Sequence, residues 1–149
     1  MKRRRFIELA TICAIPGVPA FAATGARIEV YKSPTCGCCG KWAEHLQQNG
    51  FEVTVHEISD ITAFRAKAGV PQRLASCHTA LVEGYVVEGH VPAADIQRLI
   101  KERLKARGLA VPGMPKGSPG MEAPRAEPYD VLLFSADGAT RVYRSYHGT

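Results

Sequence analysis

Arg27-Ile28-Glu29-Val30-Tyr31-Lys32-Ser33-Pro34-Thr35-Cys36-Gly37-Cys38-Cys39 passes from an alternating run to a turn and then to three cysteines within four positions. Polar and apolar residues alternate from Arg27 to Tyr31, the period of a half-buried strand. Ser33-Pro34-Thr35 turns the chain. A helix is expected to start near the cysteines and to run to Gln48, where Asn49-Gly50 is a stop signal. Phe51 to Glu57 reads as a second strand. Asp60 can cap a short helix through Ala68 that carries Ile61 and Phe64 inward and ends at Gly69. Thr79 to Val82 and Tyr85 to Val87 read as a hairpin around Glu83-Gly84. Pro92 opens a helix in which Ile96, Leu99, Ile100, Arg103 and Leu104 fall at helical spacing, with Gly108 as its stop.

The resulting order over residues 27–107, β-α-β-α-β-β-α, is that of an α/β, thioredoxin-like core. Residues 112–128 change character, with five prolines and three glycines, and read as a loop. Tyr129 to Phe134 and Thr140 to Tyr146, joined through Asp137-Gly138, predict a C-terminal β-hairpin extension over residues 129–146 that packs on the core. Residues 23–149 are expected to form one domain.

With 149 residues, 46% hydrophobic and 22% charged, the chain is long enough to bury a core without metal or disulfide. Its cysteines therefore need another explanation. Residues 1–22 read as a signal peptide: Lys2 to Arg5 form a basic region, Phe6 to about Val18 an apolar one, and Ala20-Phe21-Ala22 the cleavage site. The apolar run is too short for a membrane span of ~20 residues. Arg3-Arg4-Arg5-Phe6-Ile7 also resembles a twin-arginine signal, so Sec and twin-arginine export both stay open. Cleavage removes Cys13, four basic residues and Glu8, and the formal charge falls from +5 to +2. That balance, with Lys101, Arg103, Lys105 and Arg107 on the polar side of a helix, gives no support to a nucleic-acid partner. No membrane partner is expected after cleavage, and the expected compartment is the periplasm. There a thiol cluster must be oxidised, held by metal or cycled by a partner.

Cys36 and Cys39 form a C-x-x-C, the spacing of redox chemistry, while Cys36 and Cys38 form a C-x-C, more typical of soft-metal sites. Placed where a helix begins, these thiols face the positive end of its dipole and free amides, which favour thiolate. Cys77 lies just ahead of the third strand, in a loop that a thioredoxin-like fold brings over the C-x-x-C. In thioredoxin-type enzymes that loop carries a metal-excluding cis-proline; here Pro71 comes six residues before Cys77, and Ser76-Cys77-His78-Thr79 fills the place. Helical Cys38 and Cys39 point about 100° apart, which suits thiolates bridging several ions better than one tetrahedral ion. Soft thiolates select Cu(I) first, with zinc the second choice because only one knuckle and a lone cysteine are present. Pro112-Gly113-Met114 repeats as Pro119-Gly120-Met121. Thioether is a soft ligand that forms no disulfide, so Met114 and Met121 are candidate copper ligands; the alternative is that they fasten the loop to the domain.

Ser33-Pro34-Thr35-Cys36-Gly37-Cys38-Cys39 with Trp42, Cys77-His78-Thr79-Ala80, Glu88-Gly89-His90-Val91-Pro92, and Gly113-Met114-Pro115 through Gly117-Ser118-Pro119-Gly120-Met121 together resemble the CopG-type family of exported copper-resistance proteins, long carried as a domain of unknown function. The resemblance runs from residue 27 to about 147. It implies a thioredoxin-like fold, copper binding at Cys36, Cys38, Cys39 and Cys77, and a role in copper handling or copper redox chemistry.

Several residues are candidates to support such a site. Cys38, Trp42 and His45 share a helix face; Trp42 is expected to pack in the core and shield the cluster. His78 is a candidate to hydrogen-bond a thiolate, ahead of direct ligation, and His90 is either a supporting group or a turn histidine. Lys32 and Lys41 flank the cluster, where they offset thiolate charge or are simply solvated. No nucleotide loop, catalytic carboxylate pair or serine triad is present, which leaves hydrolytic classes unsupported. The expected function is a periplasmic Cu(I)-binding protein holding more than one ion, with copper ions and periplasmic copper-transport proteins as partners. The alternative is a thiol–disulfide oxidoreductase in which Cys36 attacks and Cys39 resolves. A copper redox enzyme lies between the two.

Overall fold

The computed structural model describes residues 25–149. The signal peptide expected at 1–22 lies outside them. The elements are β1 (Arg27–Lys32), α1 (Gly37–Gln48), β2 (Glu52–Glu57), α2 (Ile61–Ala68), β3 (His78–Val82), β4 (Tyr85–Glu88), α3 (Ala93–Glu102), β5 (Gly108–Ala110), β6 (Tyr129–Phe134) and β7 (Thr140–Tyr146), with a 3-10 turn at Gln72–Leu74. Through α3 this is the expected β-α-β-α-β-β-α order of an α/β fold.

The strands form one seven-stranded sheet in the order β2-β1-β3-β4-β5-β6-β7. β1 runs parallel to β2 and antiparallel to β3, which pairs antiparallel with β4. Side chains leave opposite faces at successive positions. Ala80, Val87, Leu109 and Leu133 accordingly join Trp42, Leu46, Ile96 and Leu99 of α1 and α3 in one cluster. Their neighbours Val86, Ala110 and Phe134 join Ala68 at the end of α2, and Val70 and Leu74 after it, in another.

Helix ends follow local chemistry. The Asp60 side chain accepts from the Ala63 amide at 2.8 Å, and Gly69 closes α2 in the left-handed conformation. α1 buries Cys39, Trp42, Ala43 and Leu46, the i, i+3, i+4, i+7 stripe of an amphipathic helix.

One expectation is corrected. α3 ends at Glu102 because Arg103 turns left-handed, at φ 48°; Gly108 does not stop the helix but starts β5. The C-terminal hairpin puts Val131 and Leu133 into the main core cluster and also continues the sheet: β5 pairs parallel with β4 and antiparallel with β6. Tyr146 and Arg144 of β7 reach back to the buried carboxylate of Asp95 on α3, at 2.7 and 3.3 Å.

Candidate metal centre

The cysteines gather where α1 begins. Cys36 is the residue before the first turn of α1, its amide bonded to Ser33 O at 3.1 Å, so the Ser33-Pro34-Thr35 turn delivers it to the helix end. Cys77 arrives from the other side, on the loop ahead of β3. That loop is fixed by a buried ion pair. Glu88 Oε1 accepts from Arg65 Nε at 2.6 Å and from the Ser76 amide at 2.7 Å, its Oε2 accepts from Thr79 Oγ1 at 2.5 Å, and Arg65 Nη2 donates to Ser76 O at 2.6 Å. Gly89, at φ 73°, lets the chain pass so close that a Cβ there would lie 2.5 Å from both Ser76 Oγ and Val111 O.

All four sulfurs of Cys36, Cys38, Cys39 and Cys77 lie within 4.8 Å of one another. Cys36 and Cys39 are joined as a disulfide, while Cys38 and Cys77 are free and half-buried. Cys38 Sγ is 3.6 Å from Cys36 Sγ and 3.8 Å from Cys77 Sγ, so it stands between the disulfide and the remaining thiol.

Two imidazoles close on Cys77 from behind. His90 Nε2 is 3.0 Å and His78 Nδ1 3.2 Å from its sulfur. Both rings are fully buried. His90 Nδ1 meets the Pro119 carbonyl at 2.7 Å. A carbonyl only accepts, so Nδ1 carries the proton and the Nε2 lone pair faces the sulfur. His78 Nε2 has no hydrogen-bond partner although buried.

Electrostatics keep these groups neutral in the metal-free protein. Burial, reinforced by the neighbouring Cys38, pushes the Cys77 thiol up to about 12. Burial and the adjacent His90 hold His78 down to about 3, and burial also lowers His90. Neutral imidazole is the form that binds a metal.

The proline-glycine loop lies against the same helix end. Gly120, at φ 84°, sits so close to α1 that a Cβ there would be 2.9 Å from Trp42 N and 3.0 Å from Cys38 O. Met121 and Cys38 line one surface hollow together with Lys41, Lys116 and Glu122. Met114 is half exposed, and Gly113 beside it accepts a hydrogen bond from Ser76 Oγ.

Residues 74–121 match the family described as "Protein of unknown function, DUF411", a span that holds Cys77, His78, Glu88, His90 and both methionines. No curated protein matches the chain. Two solved structures do, each 46% identical with a TM-score of 0.79. One, "Copper resistance protein copG- Form 1", covers 83% of this chain and 99% of its own, and "Form 2" covers 82% and 98%. The chain belongs to the CopG copper-resistance family.

As a CopG-family chain it brings together the four expected cysteines, His78, His90 and, at the rim, Met121. Trp42 is buried as expected; its ring lies tilted by 38° against His78 with centroids 4.2 Å apart, and its Nε1 donates to Val91 O at 2.9 Å, so it braces a histidine of the site. His45 is turned away from them and accepts from the Ala93 amide at 3.1 Å, at the start of α3. Lys32 is buried rather than solvated and pairs with Glu57 at 2.9 Å. Sequence reading missed the Arg65–Glu88 pair and the approach of both histidines to one sulfur. The only signal for Glu88 and His90 was their place in the Glu88-Gly89-His90-Val91-Pro92 motif.

Proposed function

We propose that this CopG-family chain is a periplasmic copper-resistance protein that binds Cu(I) as cargo in a polythiolate cluster of Cys36, Cys38, Cys39 and Cys77. The observation that carries the reading is the convergence of four sulfurs within 4.8 Å at one helix end. Soft, polarisable thiolates match Cu(I), and four of them in bridging positions suit more than one ion; zinc is the second choice. Two electrons must first open the Cys36–Cys39 disulfide. Each thiol then gives up its proton as a Cu–S bond forms, so copper uptake releases protons. The raised Cys77 thiol keeps its proton until the metal displaces it. Met121, sharing a hollow with Cys38, supplies a thioether at the rim for capture and hand-over. Loading the reduced protein with Cu(I) is expected to protect all four thiols from alkylation, and Cys77→Ser to lower the copper stoichiometry.

A second reading is supported by the Cys36–Cys39 disulfide with the Cys38 sulfur 3.6 Å from Cys36: thiol–disulfide exchange. In it Cys36 attacks a substrate disulfide and Cys39 resolves the mixed disulfide. Metal-free reduction of insulin that Cys36→Ser abolishes supports this reading; inactivity of the fully reduced protein argues against it.

A further inference from the structure

We propose that the disulfide form holds a second kind of metal site, made of Cys38, Cys77, His78 and His90, that takes a single borderline divalent ion of the zinc class. The proposal rests on the copper-binding reading for the function of the reduced state, but it concerns the oxidised one.

The Cys36–Cys39 disulfide withdraws two of the four sulfurs, because a disulfide sulfur is no longer a thiolate donor. What remains is two thiols and two imidazoles, the donor set of a closed tetrahedral zinc site. Its dimensions fit. With Zn–S near 2.3 Å and Zn–N near 2.05 Å, tetrahedral edges come out at about 3.8 Å between sulfurs and about 3.6 Å between sulfur and nitrogen. Cys38 and Cys77 sulfurs are 3.8 Å apart, and the imidazole nitrogens stand 3.0 and 3.2 Å from Cys77. Cys77, His78 and His90 already offer donor atoms within 4.8 Å of one another; Cys38 stands outside that group and its side chain must swing toward the imidazoles to complete the tetrahedron.

One further observation points to a ligand. His90 donates its Nδ1 proton to the Pro119 carbonyl at 2.7 Å, the outer hydrogen bond that orients metal-binding histidines and frees Nε2. His78 is fully buried and turns Nδ1, not its unpartnered Nε2, toward the Cys77 sulfur at 3.2 Å. A structure needing only a packed core would place an apolar ring there at lower desolvation cost.

The two modes are exclusive and are selected by redox state. In the conversion, Cys36 and Cys39 thiols react with a disulfide oxidant RSSR; the Cys36–Cys39 bond forms, the RS–SR bond breaks, and both protons leave on two RSH. The chain is oxidised by two electrons and RSSR is reduced by two. A four-sulfur soft site thereby becomes a mixed sulfur–nitrogen site.

The test is a Zn²⁺ titration of the chain from residue 23 onward in its Cys36–Cys39 disulfide form against a chromogenic chelator, with free thiols counted before and after. A Cys36→Ser/Cys39→Ser double variant keeps the same four donors without the disulfide. Both forms are expected to bind one Zn²⁺ with Cys38 and Cys77 protected from alkylation. Co²⁺ in its place is expected to give sulfur-to-cobalt charge-transfer bands. His90→Ala should weaken Zn²⁺ binding by at least about tenfold. Absence of Zn²⁺ binding in both forms, while the reduced chain still takes Cu(I) on four thiols, overturns this inference and leaves the proposed function standing. Absence of both overturns the two together.

Discussion

The Arg65 guanidinium and the Glu88 carboxylate meet at 2.6 Å inside the protein, and both also hold Ser76, the residue before Cys77. An ion pair between α2 and β4 thus sets where the fourth sulfur stands. Removing the charge from one partner leaves the other buried and unpaired, so Glu88→Gln is expected to cost about 3–5 kcal/mol. Urea unfolding measures it, and a loss below about 0.5 kcal/mol, the size of an ordinary surface substitution, contradicts the assignment.

His45 links pH to the start of α3. Its Nε2 accepts from the Ala93 amide, which only the neutral ring can do, and burial lowers its pKa below 6.5. A depressed histidine stabilises the fold above its unfolded pKa, and that contribution is lost as pH falls through the folded value. His45→Gln keeps an acceptor that does not titrate. Its stability should therefore fall less than that of the parent between pH 7 and acid pH, in paired urea titrations; parallel curves contradict the cap.

Gly120 is the point where the methionine loop touches the cysteine helix. Gly120→Ala forces a Cβ to within 2.9 Å of Trp42 N at a left-handed φ, and is expected to cost about 1–2 kcal/mol. The loop should lift from α1, so that limited proteolysis within residues 112–128 and alkylation of Cys38 both speed up. Unchanged rates contradict the contact.

The two methionines differ in place and should differ in effect. Met121 shares a hollow with Cys38, whereas Met114 is half exposed. Met121→Leu is expected to slow Cu(I) transfer to an external chelator roughly tenfold, equivalent to about 1.4 kcal/mol in barrier. Met114→Leu should change it less, and neither should alter the melting temperature much. Equal transfer rates for Met121→Leu and the parent chain remove Met121 from the path.

Much of this was legible in the residues. Alternation in Arg27–Lys32, the Asp60 and Gly69 signals and the Pro92 start placed β1, α2 and α3, and the spacing of Cys36, Cys38 and Cys39 marked the site. What escaped has physical reasons. β5 is three residues long, too short for alternation to show, and Arg103 ends α3 in a left-handed conformation that its residue type does not advertise. Arg65 is a charged residue on a helix whose inward positions read as Ile61 and Phe64, so it reads as exposed, and only the fold brings it onto Glu88. His78 and His90 are separated by a whole hairpin, β3 to β4, so their meeting at one sulfur is a product of strand pairing that no local pattern encodes.

The most direct measurement is an anaerobic Cu(I) titration of the fully reduced chain from residue 23 onward against a competing chelator, counting bound copper and free thiols at saturation. More than one tightly held Cu(I) per chain, with Cys36, Cys38, Cys39 and Cys77 all protected, is the expected result. Submolar binding with the thiols still reactive would contradict a copper-thiolate cluster.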